Sequence, residues 1–113
     1  METQKAKEIL EKYLKAWIKH DLEKMYKYCQ ITWQSNHEKN ELRDLFRDIN
    51  LEDYSIGNIY EIEGISLCKI RVHAKINKEK CAFEAILACE TEAYTPREDG
   101  KWGVNPISIL KIE

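Results

Sequence analysis

The most informative stretch of the sequence is CKIRVHAKINKEKCAFEAILAC, residues 68–89. Apolar and polar side chains alternate before its central polar segment, NKEK, and after it every second residue from Cys81 to Cys89 is apolar. Such alternation is typical of strands with one buried face, and two such strands around a polar segment predict a β-hairpin. If the turn is symmetric about residues 78 and 79, Cys68 lies opposite Cys89 and every inward-facing pair is apolar. This register places one face of the hairpin in the core.

The hairpin is predicted to belong to a larger antiparallel sheet. Turn-forming pairs flank it, Glu63-Gly64 on one side and Asp99-Gly100 on the other, and glycine suits such turns because it tolerates positive φ. The pattern therefore predicts four strands, over residues 52–62, 65–76, 81–95 and 101–111.

The first half of the chain has helical periodicity instead. Apolar side chains recur at intervals of three and four over residues 3–19, which predicts one amphipathic helix. Asp21 suits the N-cap of a short second helix. Residues 30–36 are predicted to be a connector, and Ser35 followed by Glu38 is the capping-box pattern that begins a third helix. The sequence thus predicts an α+β fold with three N-terminal helices and a four-stranded antiparallel sheet.

Composition limits the classes of protein. The length fits one domain over residues 1–113. Eighteen basic and twenty acidic residues give a formal charge of −2, which excludes a strongly basic nucleic-acid-binding composition. The longest apolar run falls far short of a membrane span. Because no apolar segment precedes the first helix and the four cysteines lack C-x-x-C spacing, we expect a cytoplasmic protein with reduced cysteines.

Three segments resemble nuclear transport factor 2-like (SnoaL-like) domains: YLKAW at 13–17, DLEKMY at 21–26 and DGKWGVN at 99–105. The resemblance covers nearly the whole chain in order and length. It implies a cystatin-like cone, in which a curved sheet wraps the long first helix, with a ligand pocket at the wide end and a dimer through the outer sheet face. The superfamily includes isomerases, dehydratases, small-ligand binders and accessory domains, so the fold alone does not define the function.

The sequence favours a non-catalytic role. The steroid-isomerase branch of the superfamily needs a carboxylate base after the second helix, and residues 30–35 contain neither Asp nor Glu. His20, His37 and His73 are expected at the surface, and their positions suggest no metal site and no cofactor. Residues 108–111 have the letters S-x-x-K of a transpeptidase nucleophile, but on the predicted strand residues three apart point to opposite faces.

Aromatic side chains are the main candidates for a ligand pocket. In the cone that the resemblance implies, several would line the cavity and bind a small apolar molecule, although the same residues could simply fill the core. The candidate pocket residues are Tyr13, Trp17, Tyr26, Trp33, Tyr54 and Trp102.

The outer face of the sheet mixes apolar and charged side chains. A symmetric homodimer would bury the apolar centre and pair the charges, and an ordinary solvated face is the alternative. The predicted register places His73 opposite Glu84. The candidate dimer residues are Leu67, Lys69, Arg71, His73, Glu84, Ile86 and Ala88.

The sequence therefore predicts a small-ligand-binding or accessory domain, without nucleic-acid or membrane partners. A small-substrate isomerase or dehydratase with an atypical site is one alternative. An accessory domain of a cell-wall transpeptidase system is another.

Overall fold

The computed structural model describes residues 3–62 and 66–112 and, except at residues 61 and 62, their side chains. The helices are α1 (Thr3–Ile18), α2 (Leu22–Lys27), α3 (Ile31–Asn36), α4 (Lys39–Phe46) and α5 (Pro106–Ile109). The strands are β1 (Leu51–Ile62), β2 (Leu67–Ile76), β3 (Glu79–Glu92), β4 (Thr95–Pro96) and β5 (Lys101–Asn105). The predicted α+β class with an antiparallel sheet is confirmed.

The sheet is built around β3, which pairs antiparallel with β2, β4 and β5, while β1 pairs with β2. The predicted alternation in β2 is confirmed, because its even-numbered side chains are buried and its odd-numbered ones are half-buried or exposed. The strand predicted over residues 81–95 divides instead into β3 and the short β4. The predicted Glu63-Gly64 turn lies outside the described residues.

The hairpin register differs from the prediction by two residues. Cys68 lies opposite Leu87, not Cys89, and His73 lies opposite Ala82. The reason is the turn, which contains two residues, Asn77 and Lys78, with φ values of 51° and 70°. Positive φ at both central positions is typical of the tight type I′ turn. A shift of two residues keeps every side chain on its predicted face, because the strand period is two.

Helix α1 supplies the main apolar surface opposite the sheet. Its buried side chains recur at helical spacing: Ala6, Leu10, Tyr13, Leu14, Ala16 and Trp17. The helix contacts β1, β2, β3 and β5, so its buried face lies against most of the sheet. The predicted cap at the start of α2 is confirmed, since Asp21 Oδ1 accepts a hydrogen bond from the Lys24 N–H at 3.2 Å.

Four helices precede the sheet in the described chain, not the predicted three. Residues 31–36 form α3, although they were expected to be a connector. The predicted capping box is also wrong. Glu38 is the N-cap of α4 and makes no side-chain cap, while the Ser35 hydroxyl donates to the carbonyl oxygen of Thr32 at 2.8 Å.

The predicted last strand ends early, at Asn105. The Asn105 side chain accepts a hydrogen bond from the Ile107 N–H at 3.0 Å and caps α5, which begins with Pro106. Ser108 therefore lies on a helical turn, and the strand argument against the S-x-x-K letters was wrong. Its hydroxyl is engaged in structure: it donates to the Asn105 carbonyl at 2.6 Å and accepts from the Ile86 N–H at 2.9 Å.

Strand β5 ties the sheet to the α2–α3 junction. Gln30 N–H donates to the Val104 carbonyl at 2.9 Å, and Val104 N–H donates to the Tyr28 carbonyl at 2.8 Å. A Cβ atom on Gly103 would lie only 2.3 Å from Gln30 Cα, so this approach requires glycine. None of the described helices is long and apolar enough to span a bilayer.

Candidate functional site

An open groove lies where the end of α1, the start of α2 and the end of α4 meet. We term it the corner groove, and its volume is about 260 Å³. It is lined by Trp17, His20, Leu22, Met25, Arg43, Phe46 and Arg47.

The floor of the corner groove is apolar and fixed. The Trp17 indole N–H donates to the Ile49 carbonyl at 2.8 Å, which holds the ring in one orientation. Phe46 packs edge-on against Trp17 with ring centroids 5.0 Å apart. Met25, which is 3% exposed, completes the buried part of the floor. The groove therefore presents a preformed apolar surface rather than one that must be assembled around a ligand.

The rim of the corner groove is cationic. Arg43 Nε lies 3.6 Å from Asp44 Oδ1, and Arg47 Nη2 lies 2.5 Å from the same oxygen. Two guanidinium groups thus share one carboxylate, and both remain more than half exposed. His20 adds an exposed imidazole at the end of α1, where the backbone has a φ of 57°. The rim therefore carries a net positive charge, and it lies above an apolar floor.

The predicted pocket residues do not come together at one place. Trp17 lines the corner groove, while Tyr13, Trp33 and Trp102 are all less than 10% exposed and pack in the core. Tyr13 is fully buried, and its hydroxyl makes no hydrogen bond to any described residue. Burial, together with the neighbouring Cys29, raises the pKa of Tyr13 well above its ordinary value. Burial also raises the pKa of the Cys29 thiol to about 12.

A second aromatic cluster lies beside α3. Tyr26 and Trp33 pack edge-on with ring centroids 6.3 Å apart, and His37 stacks on Trp33 at 4.4 Å. The Tyr26 hydroxyl lies 2.7 Å from the His37 carbonyl and 3.1 Å from that of Gln34. Trp33 is therefore a packed helical residue, although the sequence placed it in an irregular segment.

Tyr54 lies apart from both clusters, beside an open groove of about 320 Å³ at the turn end of the β1–β3 sheet. Its lining mixes apolar surface with charged and polar side chains, which include Asp53, His73 and Lys75. Partial burial raises the pKa of Tyr54, and the negative charge of Glu11 raises it further. This mixed lining does not suit a purely apolar ligand.

The outer sheet face has the mixed character that the sequence predicted. Leu67, Lys69, Arg71, Glu84 and Ile86 are half-buried, and His73 is exposed, whereas Ala88 is only 4% exposed. Arg71, not His73, lies opposite Glu84. Helix α5 packs on β3 here, and a groove of about 270 Å³ lies between Ile86 and Lys111. The dimer itself stays a prediction.

Sequence reasoning missed Arg43 and Arg47. Their spacing was the available signal, because residues four apart lie on one face of a helix. Arg43 directly follows the buried Leu42, and Arg47 directly follows the buried Phe46. Metal ligands do not converge, since no group of three or more His, Cys, Asp or Glu among the described residues could hold an ion. All four cysteines are free thiols.

No protein-family model matches the sequence, and no curated protein or solved structure matches it either.

Proposed function

We propose that this chain is a small-molecule-binding domain of the nuclear transport factor 2-like type, and that the corner groove holds an amphipathic anion. The apolar body of the ligand lies on Trp17 and Phe46, and its carboxylate or phosphate lies between Arg43 and Arg47. The observation that carries the proposal is the pair of exposed guanidinium groups above a preformed apolar floor.

Charge supports an anionic head group. Arg43 and Arg47 share Asp44, so the three side chains together carry one net positive charge. An exposed ion pair contributes only about 0–1 kcal/mol, and an arginine can exchange it for a ligand at little cost. The guanidinium fork fits a carboxylate or phosphate in a bidentate arrangement, which favours these anions over a simple halide.

Size supports a small ligand. The groove volume, about 260 Å³, is slightly below the range of about 300–1,000 Å³ typical of pockets for drug-sized molecules. A short acyl chain with one acidic head group matches this space. Among the lining residues, all of which the structure describes, His20 could exchange protons, but no hydroxyl, thiol or carboxylate side chain stands beside it, so we assign binding rather than chemical conversion.

Octanoate tests the proposal, with octanol as the uncharged molecule of the same chain length. Calorimetric titration is expected to show tighter binding of octanoate than of octanol. The double variant Arg43→Gln/Arg47→Gln should weaken octanoate binding at least about tenfold, because hydrogen bonds to charged groups contribute about 1.5–3 kcal/mol. Octanol binding should change little.

Arg97→Gln provides the matched control, because it removes an exposed arginine that pairs with Asp99, away from the groove. It should leave both affinities unchanged. Equal binding of octanoate by the wild type and the groove variant would contradict the proposal.

The cone architecture is part of the same proposal. Contact of α1 with four of the strands supports a sheet that wraps this helix. A cytoplasmic location is supported by the four reduced cysteines, which are typical of reducing compartments.

A homodimer through the outer sheet face is a second, separable proposal. It is supported by half-buried Ile86 among the charged side chains of Lys69 and Glu84, since a dimer interface surrounds an apolar centre with a polar rim. Light scattering after gel filtration should give twice the chain mass. Ile86→Lys should convert the dimer to a monomer, and a wild-type monomer at high concentration would refute this proposal.

A further inference from the structure

A further groove lies along α1 and α2, and its chemistry differs from that of the corner groove. Its volume is about 300 Å³, and we term it the lysine cleft. It is lined by Lys12, Lys15, Ala16, Lys19, Asp21, Lys24 and Tyr28.

Helix geometry brings the cationic side chains together. Lys12 and Lys15 are three residues apart on one face of α1. Lys19 directly follows the helix, where its backbone N–H donates to the Lys15 carbonyl at 3.2 Å and keeps it near the same face. Lys24 approaches from α2, across the cleft. Like charges at this spacing repel one another. The fold thus concentrates positive charge on one small concave surface of a protein whose net charge is −2.

Tyr28 lies among these ammonium groups. Lys12 Nζ is 5.9 Å from the centroid of the Tyr28 ring, and Lys27 Nζ is 5.6 Å from it. Both distances are within the range of cation–π attraction. The ring therefore holds Lys12 in the cleft and one further ammonium group, that of Lys27, close to it, without neutralising either.

Acidic side chains do not neutralise the cluster. Within the described part of the chain, no ion pair involves any of the cleft lysines or Lys27. Asp21 lines the cleft and caps α2 through its Oδ1, and it brings one negative charge against four lysines. Glu23 pairs with Lys39 instead.

Two carboxylates on α1 remain. Glu11 precedes Lys15 by one turn and forms no ion pair with it among the described residues. Glu8 precedes Lys12 by one turn and forms no ion pair with it among the described residues. The cleft therefore keeps most of its positive charge for a partner.

We propose that the lysine cleft binds a small molecule with two or more adjacent phosphoryl groups. Ammonium groups are compact point charges with three donors each, and several of them around one cavity can satisfy the many oxygen acceptors of a polyphosphate. The cleft volume matches a compact anion rather than a long polymer. The site is separate from the corner groove and does not depend on the ligand proposed there.

A membrane surface is the less suitable partner. Stable attachment needs apolar side chains that insert beside the basic ones. The exposed large apolar side chains of the described chain lie elsewhere, on Tyr60, Tyr94, Ile107 and Ile112. The cleft offers charge without such an anchor, which favours a soluble polyanion.

Tripolyphosphate titrated calorimetrically into the full chain at low salt tests the proposal, with orthophosphate as the single-phosphate comparison. We expect one site per chain for tripolyphosphate and at least tenfold weaker binding of orthophosphate. Lys15→Gln/Lys19→Gln changes two exposed side chains and should weaken tripolyphosphate binding at least tenfold, with the thermal unfolding midpoint unchanged.

Lys5→Gln/Lys7→Gln is the matched control, because it removes the same charge from the same helix outside the cleft. It should bind as the wild type does. An equal loss of tripolyphosphate affinity in both double variants would show that only the net charge of the protein matters, and it would overturn the proposal. Binding that is lost in Arg43→Gln/Arg47→Gln but kept in Lys15→Gln/Lys19→Gln would also overturn it, as would binding only to anionic vesicles or to single-stranded DNA.

Discussion

The buried hydroxyl of Tyr13 gives a sharp prediction about the interior. The side chain is fully buried, and its ring packs edge-on against Phe46 with centroids 6.3 Å apart. The hydroxyl forms no hydrogen bond within the described structure. Tyr13→Phe removes this hydroxyl and keeps the ring contact, so the variant should be more stable than the wild type.

The magnitude follows from the desolvation of one polar group. A buried group without a partner costs about 1–3 kcal/mol. The small void left by the missing oxygen offsets part of this gain, and a net stabilisation of about 1 kcal/mol is expected. For 113 residues, the unfolding entropy of about 2.1 cal/mol/K per residue converts this value into a rise in Tm of about 4 °C.

Thermal unfolding followed by circular dichroism measures the shift. Tyr26→Phe is the matched control, because the Tyr26 hydroxyl lies 2.7 Å from the His37 carbonyl and donates to it. That variant should lose about 1 kcal/mol, since it removes a formed hydrogen bond. A loss of stability in Tyr13→Phe as large as in Tyr26→Phe would refute the reasoning and indicate a hydrogen-bond partner for the Tyr13 hydroxyl in the core.

Three further predictions concern the turn, a buried carboxylate and alkaline pH. Lys78→Gly should raise stability by about 1 kcal/mol in urea unfolding, because Lys78 has a φ of 70° that glycine adopts without strain; no gain would contradict the type I′ turn. Thr32→Val should cost about 1.5–3 kcal/mol, because the Thr32 hydroxyl donates to the buried carboxylate of Glu90; a neutral result in the same assay would refute that contact. The thiol of Cys29 has a pKa raised from 9.0 to about 12 by burial, so its stabilising contribution is complete below pH 9 and is lost as the pH rises toward 12. Unfolding in urea at pH 8 to 10 should show this decline, and Cys29→Ala should make it less steep; an unchanged slope in the variant would assign the decline to other groups.

The sheet could be predicted because one physical signal dominates it. A strand with one buried face alternates, and the even-numbered residues from Cys68 to Ile76 do so without exception. The same period of two explains the error in register, because a shift by two residues leaves the pattern unchanged. The turn decided between the two registers, through positive φ at Asn77 and Lys78, and alternation carries no information about φ.

Helix α3 could not be predicted from its own residues. It is six residues long, and the side chain of its N-cap residue, Gln30, makes no capping hydrogen bond. Its support comes from far along the chain: the Thr32 N–H donates to Glu90 at 3.0 Å, and the Thr32 hydroxyl accepts the Tyr94 N–H at 2.8 Å. Contacts between residues 58 positions apart leave no periodic trace in a sequence.

The candidate site was also only partly accessible from the sequence. Trp17 was identified because aromatic side chains stand out in any sequence. Its cationic neighbours, Arg43 and Arg47, belong to another helix, and in a chain with 34% charged residues an arginine pair is not distinctive. Only the packing of α4 against α2 brings them to the rim of the groove.

The most direct test of the proposed function locates the ligand. The chain contains two methionines, of which Met25 lies in the floor of the corner groove. Selective labelling of methionine methyl groups with ¹³C therefore gives one reporter inside the groove and one at Met1. Addition of octanoate should shift the Met25 methyl signal in a saturable manner in the wild type and much less in Arg43→Gln/Arg47→Gln. Saturable binding of octanoate without a shift at Met25 would place the ligand elsewhere and contradict the account.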